Sequence, residues 1–387
     1  MPIFGTRPEA IKMAPLIKAL EYEERFQVIT VVTAQHREML DQVLAVFALK
    51  PAHDLDLMRA GQTLTEVTGR VLNGLERVMA AEAPDLVLVH GDTTTTFAAS
   101  LAAFYHALPV GHVEAGLRTG DRYQPYPEEV NRRLTAVLSA LHFAPTDTAA
   151  ANLLREGIEQ DAIFVTGNTV VDALLQCLAK LRAQGITRPR AVKTERPYLL
   201  VTVHRRENWD RLSGICRALV RVRADHPELD FVLPVHLNPL VQETVRGILG
   251  GIPGVHLVPP VEYDEMVLLM SCARLILTDS GGVQEEAPAL GVPVLVLRNT
   301  TERPEAVEAG TVALAGTDEE GVYRLTKRLL EDAAAYEHMA KAVNPYGDGC
   351  AAARIKDAIL YAFGQSSVRP LPFSAGNAAR CAGCFGA

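Results

Sequence analysis

A chain of 387 residues is longer than one hydrophobic core usually organises, so two domains of about 150 to 190 residues each are expected. Forty-eight per cent apolar residues with only six per cent aromatic is the composition of an α/β protein rich in Ala, Val and Leu. Acidic residues outnumber basic ones 46 to 38, a formal charge of −8; this disfavours nucleic acid as a partner, which needs a broad basic face, but not a small anion held by local arginines.

The first predicted element is a strand ending at "FGTRPEAIKMAP" (Phe4 to Pro15), with Pro8 in the first turn of the helix that follows, where proline is well tolerated. Arg7 stands at that helix mouth and Lys12 lies ~7.5 Å further along the axis, so both could grip one anion. Strands follow at "QVITVVTA" (Gln27 to Ala34), "DLVLVHGD" (Asp85 to Asp92), "LPVGHVEAG" (Leu108 to Gly116), "HFAPT" and "IFVTGN", separated by helices such as "TEVTGRVLNGLERVMAAEA". Near Asn168 a strand gives way to the helix "TVVDALLQCLAKLRAQG", and the polar "ITRPRAVKTERP" leads into a second series: "PYLLVTVH", "FVLPVHLN", "VHLVPP", "RLILTDS" and "PVLVLRN". Strands nearly continuous in apolar residues, alternating with helices, argue for parallel sheets covered on both faces. The expectation is two doubly wound, Rossmann-like α/β domains, residues 1–167 and 168–345, whose loaded strand edges face one another across a cleft. After Glu331 the chain reads as helical, broken at "NPYGDG", and from Gly364 to 387 as a small-residue tail without fixed structure.

Ligands of doubly wound sheets sit beyond the carboxyl ends of the strands, so polar residues there are the candidates. In "TDSGGVQEE", Ser280, Gly281 and Gly282 open a helix without Cβ interference to an approaching phosphate. An ordinary strand-to-helix turn would look the same, but Glu286, one turn in, can reach the vicinal hydroxyls of a ribose behind that phosphate. The ligand then reads as a nucleotide, and Glu285 as a solvated partner of the helix dipole. Arg303, before Pro304, stands at another helix start. "VHGDTTTT" offers Asp92, either a helix N-cap or a cleft carboxylate. Glu114, at a strand end, falls by alternation on the side of His112 and needs a partner or a task. Glu128, after Pro127, either offsets a helix dipole or joins them. Carboxylates that converge raise one another's pKa, which suits proton transfer near neutrality. His204, flanked by Arg205 and Arg206, is a candidate contact for a phosphate or leaving group, and His236 in "HLNP" a weaker one.

The six cysteines divide into four in helical segments, read as buried hydrophobes (Cys177, Cys216, Cys272, Cys350), and a C-x-x-C pair, Cys381 and Cys384, read as loose thiols. No metal site is expected, since no two histidines have helical metal spacing. No window reaches the ~18 uncharged apolar residues of a membrane span. "MPIFGTRPEA" lacks the pattern of a signal peptide, so a cytoplasmic protein is expected.

The ordered motifs "GTRPEAIKMAP", "TAQHREML", "VHGDTTTT", "HVEAGLRTGD", "PEEVNRR", "TGNTVVDAL", "HRREN", "PVHLNP", "TDSGGVQEEAP", "TTERPEAVEAGT" and "NPYGDG", over residues 3 to 363, closely resemble the bacterial non-hydrolysing UDP-N-acetylglucosamine 2-epimerases. The resemblance implies the two-domain B-type glycosyltransferase architecture, with a C-terminal helix (346–363) returning to the first domain. It implies interconversion of UDP-N-acetylglucosamine and UDP-N-acetylmannosamine for cell-surface polysaccharide, by a homodimer without cofactor. It assigns UDP to Ser280, Gly281, Gly282, Glu286 and Arg303, with Arg7 and Lys12 reaching the phosphates or sugar. Asp92, Glu114 and Glu128 match the proton-transfer acids, and His204 the cleft histidine. Some members bind a second UDP-N-acetylglucosamine as activator; Gln35, His36, Gln62, Glu128 and His236 resemble that site. The chain departs from the family at Val203, where glycine is usual, and at Val261 and Met266, where relatives often place Gln and Phe near the uracil. Its first strand is a few residues short, which points to a late-assigned start or a truncated chain.

Carbon 2 of the sugar has no neighbouring carbonyl to acidify its proton, and no G-x-G-x-x-G fingerprint follows a strand here to support oxidation by a dinucleotide. Expulsion of UDP from carbon 1 with loss of the carbon 2 proton, then readdition, needs neither. The alternatives are a B-type glycosyltransferase using the same UDP-sugar, a 2-epimerase for a diacetamido uronic acid sugar, and a catalytically silent UDP-sugar-binding regulator.

Overall fold

The computed structural model describes residues 1–34, 37–57, 59 and 61–375. The chain divides into two compact units, Met1–Gln176 with the chain from Tyr346 onward, and Cys177–Pro345.

Among the described residues of the first unit, every strand pairing is parallel. Strands β1 (Ile3–Phe4), β2 (Val31–Val32) and β3 (His53–Asp54) form one sheet, with Ile3 opposite Val31 and Val32 opposite Asp54. Strands β4 (Val87–His90), β5 (Val110–Val113), β6 (Leu141–Ala144) and β7 (Ile163–Val165) form another, in that order. Pro2 bridges Leu88 in parallel, and the Leu88 N–H donates to the Met1 carbonyl at 2.9 Å. Strands β1 and β4 therefore lie side by side, and the strand sequence reverses between them. In helix Leu64–Glu82 the buried Val67, Val71, Leu75 and Val78 recur every three or four residues. That stripe packs with Ala98, Ala99 and Ala102 of helix Thr94–Tyr105 against Val87 and Val89.

The second unit is one six-stranded parallel sheet of β8 (Tyr198–Thr202), β9 (Asp230–Pro234), β10 (Val255–Val258), β11 (Leu275–Thr278), β12 (Val294–Val296) and β13 (Val312–Leu314), in the order β10-β9-β8-β11-β12-β13. Its reversal falls between β8 and β11. Leu199, Val201, Phe231, Leu275, Leu277 and Leu295 face the helices in a continuous core. The fold class is thus the doubly wound parallel α/β expected, and each reversal is the kind of crevice at which such sheets bind ligands.

Several local features differ from expectation. The division falls after Gln176, inside helix Thr169–Ala183, not at Asn168, because the helix's first turns belong to the first unit. There Asp172 is buried and accepts from the Ala352 and Ala351 N–H groups (2.8 and 3.2 Å) at the start of helix Ala351–Ala362. The stretch after Gly364, expected to lack fixed structure, is held up to Ala375: Phe373 is buried, its N–H donates to Val165 O at 2.9 Å, and Arg369 lies over the Phe164 ring. Cys381 and Cys384 lie outside the described residues. Cys177, Cys216 and Cys350 are buried, but Cys272 is exposed. It occupies the last position of helix Tyr263–Cys272, beyond the buried run that ends at Met270.

Candidate active site

In the first unit the loops after β1 and β4 carry the expected residues. Thr6 caps helix Arg7–Glu21 in a capping box with Glu9, which places Arg7 at the helix mouth. Glu9 is buried, and burial raises its pKa against the hydrogen bonds it accepts. Its Oε2 accepts from the Gly5 and Thr6 N–H groups (3.1 and 2.7 Å), its Oε1 from the Thr93 and Thr96 hydroxyls (2.7 and 3.0 Å). One carboxylate thus ties the loop of Arg7 to the loop of Asp92. The T-x-x-E spacing could have revealed the cap, but not the second pair of donors.

Asp92 is not a helix cap, since Thr93 takes that position for helix Thr94–Tyr105. Its carboxylate pairs with Arg132, and its carbonyl accepts from Asn131 Nδ2 at 3.0 Å, so helix Glu128–Leu138 grips this loop. Burial raises the Asp92 pKa, with Arg132 opposing and Glu114 adding to the rise. Glu128 opens the same helix, and its Oε2 is buried without a hydrogen-bond partner. An unsatisfied buried carboxylate oxygen asks for an explanation, and a substrate hydroxyl or proton would supply one.

Glu114 does not continue the alternation of β5. It follows the strand's last residue with φ +62°, in the left-handed region, a strain of order 1–3 kcal/mol for a residue with a side chain. Its Oε2 pairs with Lys12, accepts from Asn168 Nδ2 at 2.7 Å and lies 3.7 Å from His90 Nε2. Burial pushes His90 down to about 4, against the pull of Glu114, so it is neutral near pH 7. Lys12, expected at the phosphates or sugar, is engaged by a carboxylate in this state. The first unit therefore brings Lys12, Asp92 and Glu114 together and holds Glu128 on the helix that fixes Asp92.

In the second unit the site sits at the β8/β11 reversal. His204 Nδ1 lies 2.8 Å from Asp279 Oδ1, whose carboxylate is fully buried. Asp279 also accepts from the N–H groups of His204 and Arg205 (3.1 and 3.0 Å) and from Asn208 Nδ2 at 3.0 Å. Burial raises its pKa, but His204 and these donors outweigh it and hold the carboxyl below the ordinary range. Asp279 was visible only as a polar strand end; its hold on His204 depends on the loop between His204 and Asn208.

Ser280 precedes helix Gly281–Glu286, which passes directly into a 3-10 turn, Ala287–Leu290. So short a helix has little dipole, and nearby cations matter more. A Cβ on Gly281 would sit 3.7 Å from Arg205 Nη2 and 3.9 Å from Arg303 Nη2, so two guanidiniums border this glycine. Arg205 makes two 3.1 Å bonds to Glu302, whose pKa falls to about 2 because Arg205 and Arg298 overcome the effect of burial. Glu285 is not solvated: it is buried and pairs with Arg303, and its carbonyl accepts from Asn344 Nδ2 at 2.9 Å. Glu286 is also buried and accepts from the Tyr263 hydroxyl at 3.5 Å.

Of the expected second-site residues, Gln35 and His36 lie outside the described residues. Gln62 closes a local turn, accepting from the Arg59 N–H at 2.7 Å. His236 is exposed beside Trp209, and its Nδ1 accepts from the Asn238 N–H at 3.1 Å.

Comparison with known proteins gives this geometry a context. The family model for UDP-N-acetylglucosamine 2-epimerase matches residues 18–360. The UDP-N-acetylglucosamine 2-epimerase of Escherichia coli (strain K12) is 55% identical over 366 residues, 93% of this chain and 97% of its own. The crystal structure of the Neisseria meningitidis UDP-GlcNAc 2-epimerase bound to UDP-GlcNAc superposes with a TM-score of 0.85 at 49% identity, covering 93% of this chain and 98% of that one. The Methanocaldococcus jannaschii enzyme in complex with UDP-GlcNAc and UDP gives 0.75 at 37% identity, covering 93% and 99%. This chain belongs to the UDP-N-acetylglucosamine 2-epimerase family.

Proposed function

We propose that this chain epimerises carbon 2 of UDP-N-acetylglucosamine by eliminating and re-adding UDP, with the second unit holding the nucleotide and the first moving the proton. In elimination a carboxylate takes the carbon 2 proton, the C–H pair becomes the C1–C2 double bond, and the C1–O pair leaves on the β-phosphate of UDP. In the gluco sugar that proton is anti to the axial diphosphate, so base and diphosphate act on opposite faces of the ring. Readdition delivers a proton to the other face of carbon 2, and the diphosphate oxygen re-forms its bond to carbon 1. No electrons pass to or from a cofactor.

Supporting this division of labour, Ser280, Gly281 and Gly282 with Arg205 and Arg303 form a cation-bordered opening suited to a diphosphate, and Glu286 is one turn away for the ribose. His204, oriented by Asp279, would meet the departing phosphate, and Arg7 and Lys12 would assist. The observation that carries the reading is the set of acids Asp92 on the loop after β4, Glu114 just past the end of β5 and Glu128 at the start of the helix whose Arg132 pairs with Asp92, with one carboxylate oxygen unsatisfied. A second copy of the chain is the expected partner: helix Glu128–Leu138 exposes Val130, Leu134 and Val137 on one stripe, and the helix packed on it exposes Phe104 and Tyr105.

Proton NMR of the enzyme with UDP-N-acetylglucosamine alone in deuterated water tests the reading. It expects the manno isomer to appear with deuterium at carbon 2. Protium retained in the product, or turnover only with added NAD, would overturn it.

A further inference from the structure

Glu114 occupies a backbone conformation that side chains avoid, and its carboxylate is held by groups from other elements, Asn168 and Lys12. Asn168 is the neighbour built most rigidly for that purpose. It is buried, its backbone N–H donates to Tyr346 O at 2.6 Å, and its Oδ1 accepts from the Val170 N–H at 3.0 Å. That last bond fixes the amide: flipped, its NH2 would face another donor. Nδ2 is therefore the atom presented to Glu114 Oε2, at 2.7 Å. The backbone is pinned as well, since a Cβ on Gly347 would lie 3.3 Å from the Asn168 carbonyl oxygen. Lys12, which pairs with the same Oε2, has a long flexible stem and can turn to a substrate phosphate.

We propose that Asn168 is the positioning residue for Glu114, holding its carboxylate in the proton-transfer geometry through the Nδ2 hydrogen bond while Lys12 exchanges partners. The proposal rests on the reading of Glu114 as a proton-transfer group.

Asn168→Asp separates this role from a structural one. Aspartate keeps the size and the acceptor for the Val170 N–H, but replaces the donor with a charge facing Glu114. The expected result at pH 8 is a kcat lower by on the order of 100-fold, with KM and UDP affinity by calorimetry within about twofold of wild type. As pH falls the variant should recover relative to wild type, because a proton shared between two facing carboxylates restores the lost donor. Wild-type kcat and pH profile in Asn168→Asp, with Glu114→Gln inactive, would overturn the positioning role and leave Glu114 in place. Wild-type activity in Glu114→Gln would instead overturn the underlying reading. A loss spread equally over kcat and UDP affinity, without recovery at low pH, also counts against positioning. Should Asn168→Asp fail to fold, Asn168→Ser keeps a capping acceptor but is too short to reach Glu114. A lowered kcat at constant KM then supports the proposal, and a wild-type kcat overturns it.

Discussion

Asp279 and His204 form a carboxylate–imidazole pair in which a fully buried acid, 2.8 Å from Nδ1, orients a half-exposed ring. Three further donors on the acid, the N–H groups of His204 and Arg205 and the amide of Asn208, build the loop around it. Asp279→Asn should therefore lower kcat by on the order of 100-fold through misorientation of His204, at a stability cost of about 1–3 kcal/mol for the disturbed hydrogen bonds. Steady-state kinetics together with thermal melts check this. A variant that melts lower but turns over normally would show that the pair serves only the fold.

Gly281 offers a binding test with little effect on folding. Its added Cβ meets Arg205 and Arg303 only at ordinary van der Waals separations of 3.7 and 3.9 Å, so Gly281→Ala should fold normally. The methyl group would occupy the space where a phosphate oxygen meets the two guanidiniums. UDP affinity measured by calorimetry should drop at least about tenfold, or 1.4 kcal/mol. An unchanged affinity would move the diphosphate elsewhere.

The sheets were legible because β4, β8, β11 and β12 are largely apolar runs that parallel sheets bury on both faces. β3 was missed because it is only His53 and Asp54, neither of them apolar. β13 was missed because three residues in a run of small ones carry no periodic signal. Strand-end positions picked out most of the residues now found at the two reversal points. Their pairings were not legible, because they join residues far apart in sequence: Arg303 to Glu285, Lys12 to Glu114, Asn168 to Glu114. Nor does any local motif encode the positive φ of Glu114.

Glu128 should separate chemistry from stability. Its Oε2 is buried without a hydrogen-bond partner, so Glu128→Gln keeps the size of the side chain and breaks no bond at that atom. Stability should change by no more than about 0.5 kcal/mol, while kcat falls by roughly 10²- to 10⁴-fold if the group transfers a proton. Exchange of the carbon 2 proton with deuterated solvent, followed by NMR, should slow in step with kcat. Normal turnover in this variant would remove Glu128 from the acid group.

The exposed stripe on helix Glu128–Leu138 bears on assembly. Val137 is 78% exposed and Leu134 42%, with Phe104 and Tyr105 on the adjoining helix at 59% and 71%. If a second copy covers them, sedimentation should give a dimer for the wild-type chain and a monomer for the Leu134→Glu, Val137→Glu double variant. Because the same helix carries Arg132, which grips Asp92, the monomer should also lose kcat. A double variant that sediments as the wild type does would place the interface on another face.

Acid sensitivity follows from three histidines in the first unit. Burial, the dominant cause in each, lowers His90 and His142 to about 4 and His112 to about 3, below the ordinary 6.5. A histidine with a depressed folded pKa binds fewer protons when folded than when unfolded. Its contribution is complete above pH 6.5 and is lost as pH falls from 6.5 toward the folded value. Each shift of this size corresponds to a few kcal/mol at about 1.4 kcal/mol per pH unit. Urea unfolding between pH 7 and pH 4.5 should therefore show a steep loss of stability. His142 holds neither Asp92 nor Glu114, which makes it the one to substitute. His142→Gln cannot take up the proton, so its stability should fall less over the same range, even if it begins lower at pH 7. Equal slopes for the variant and the wild type would mean that His142 titrates normally in the folded chain.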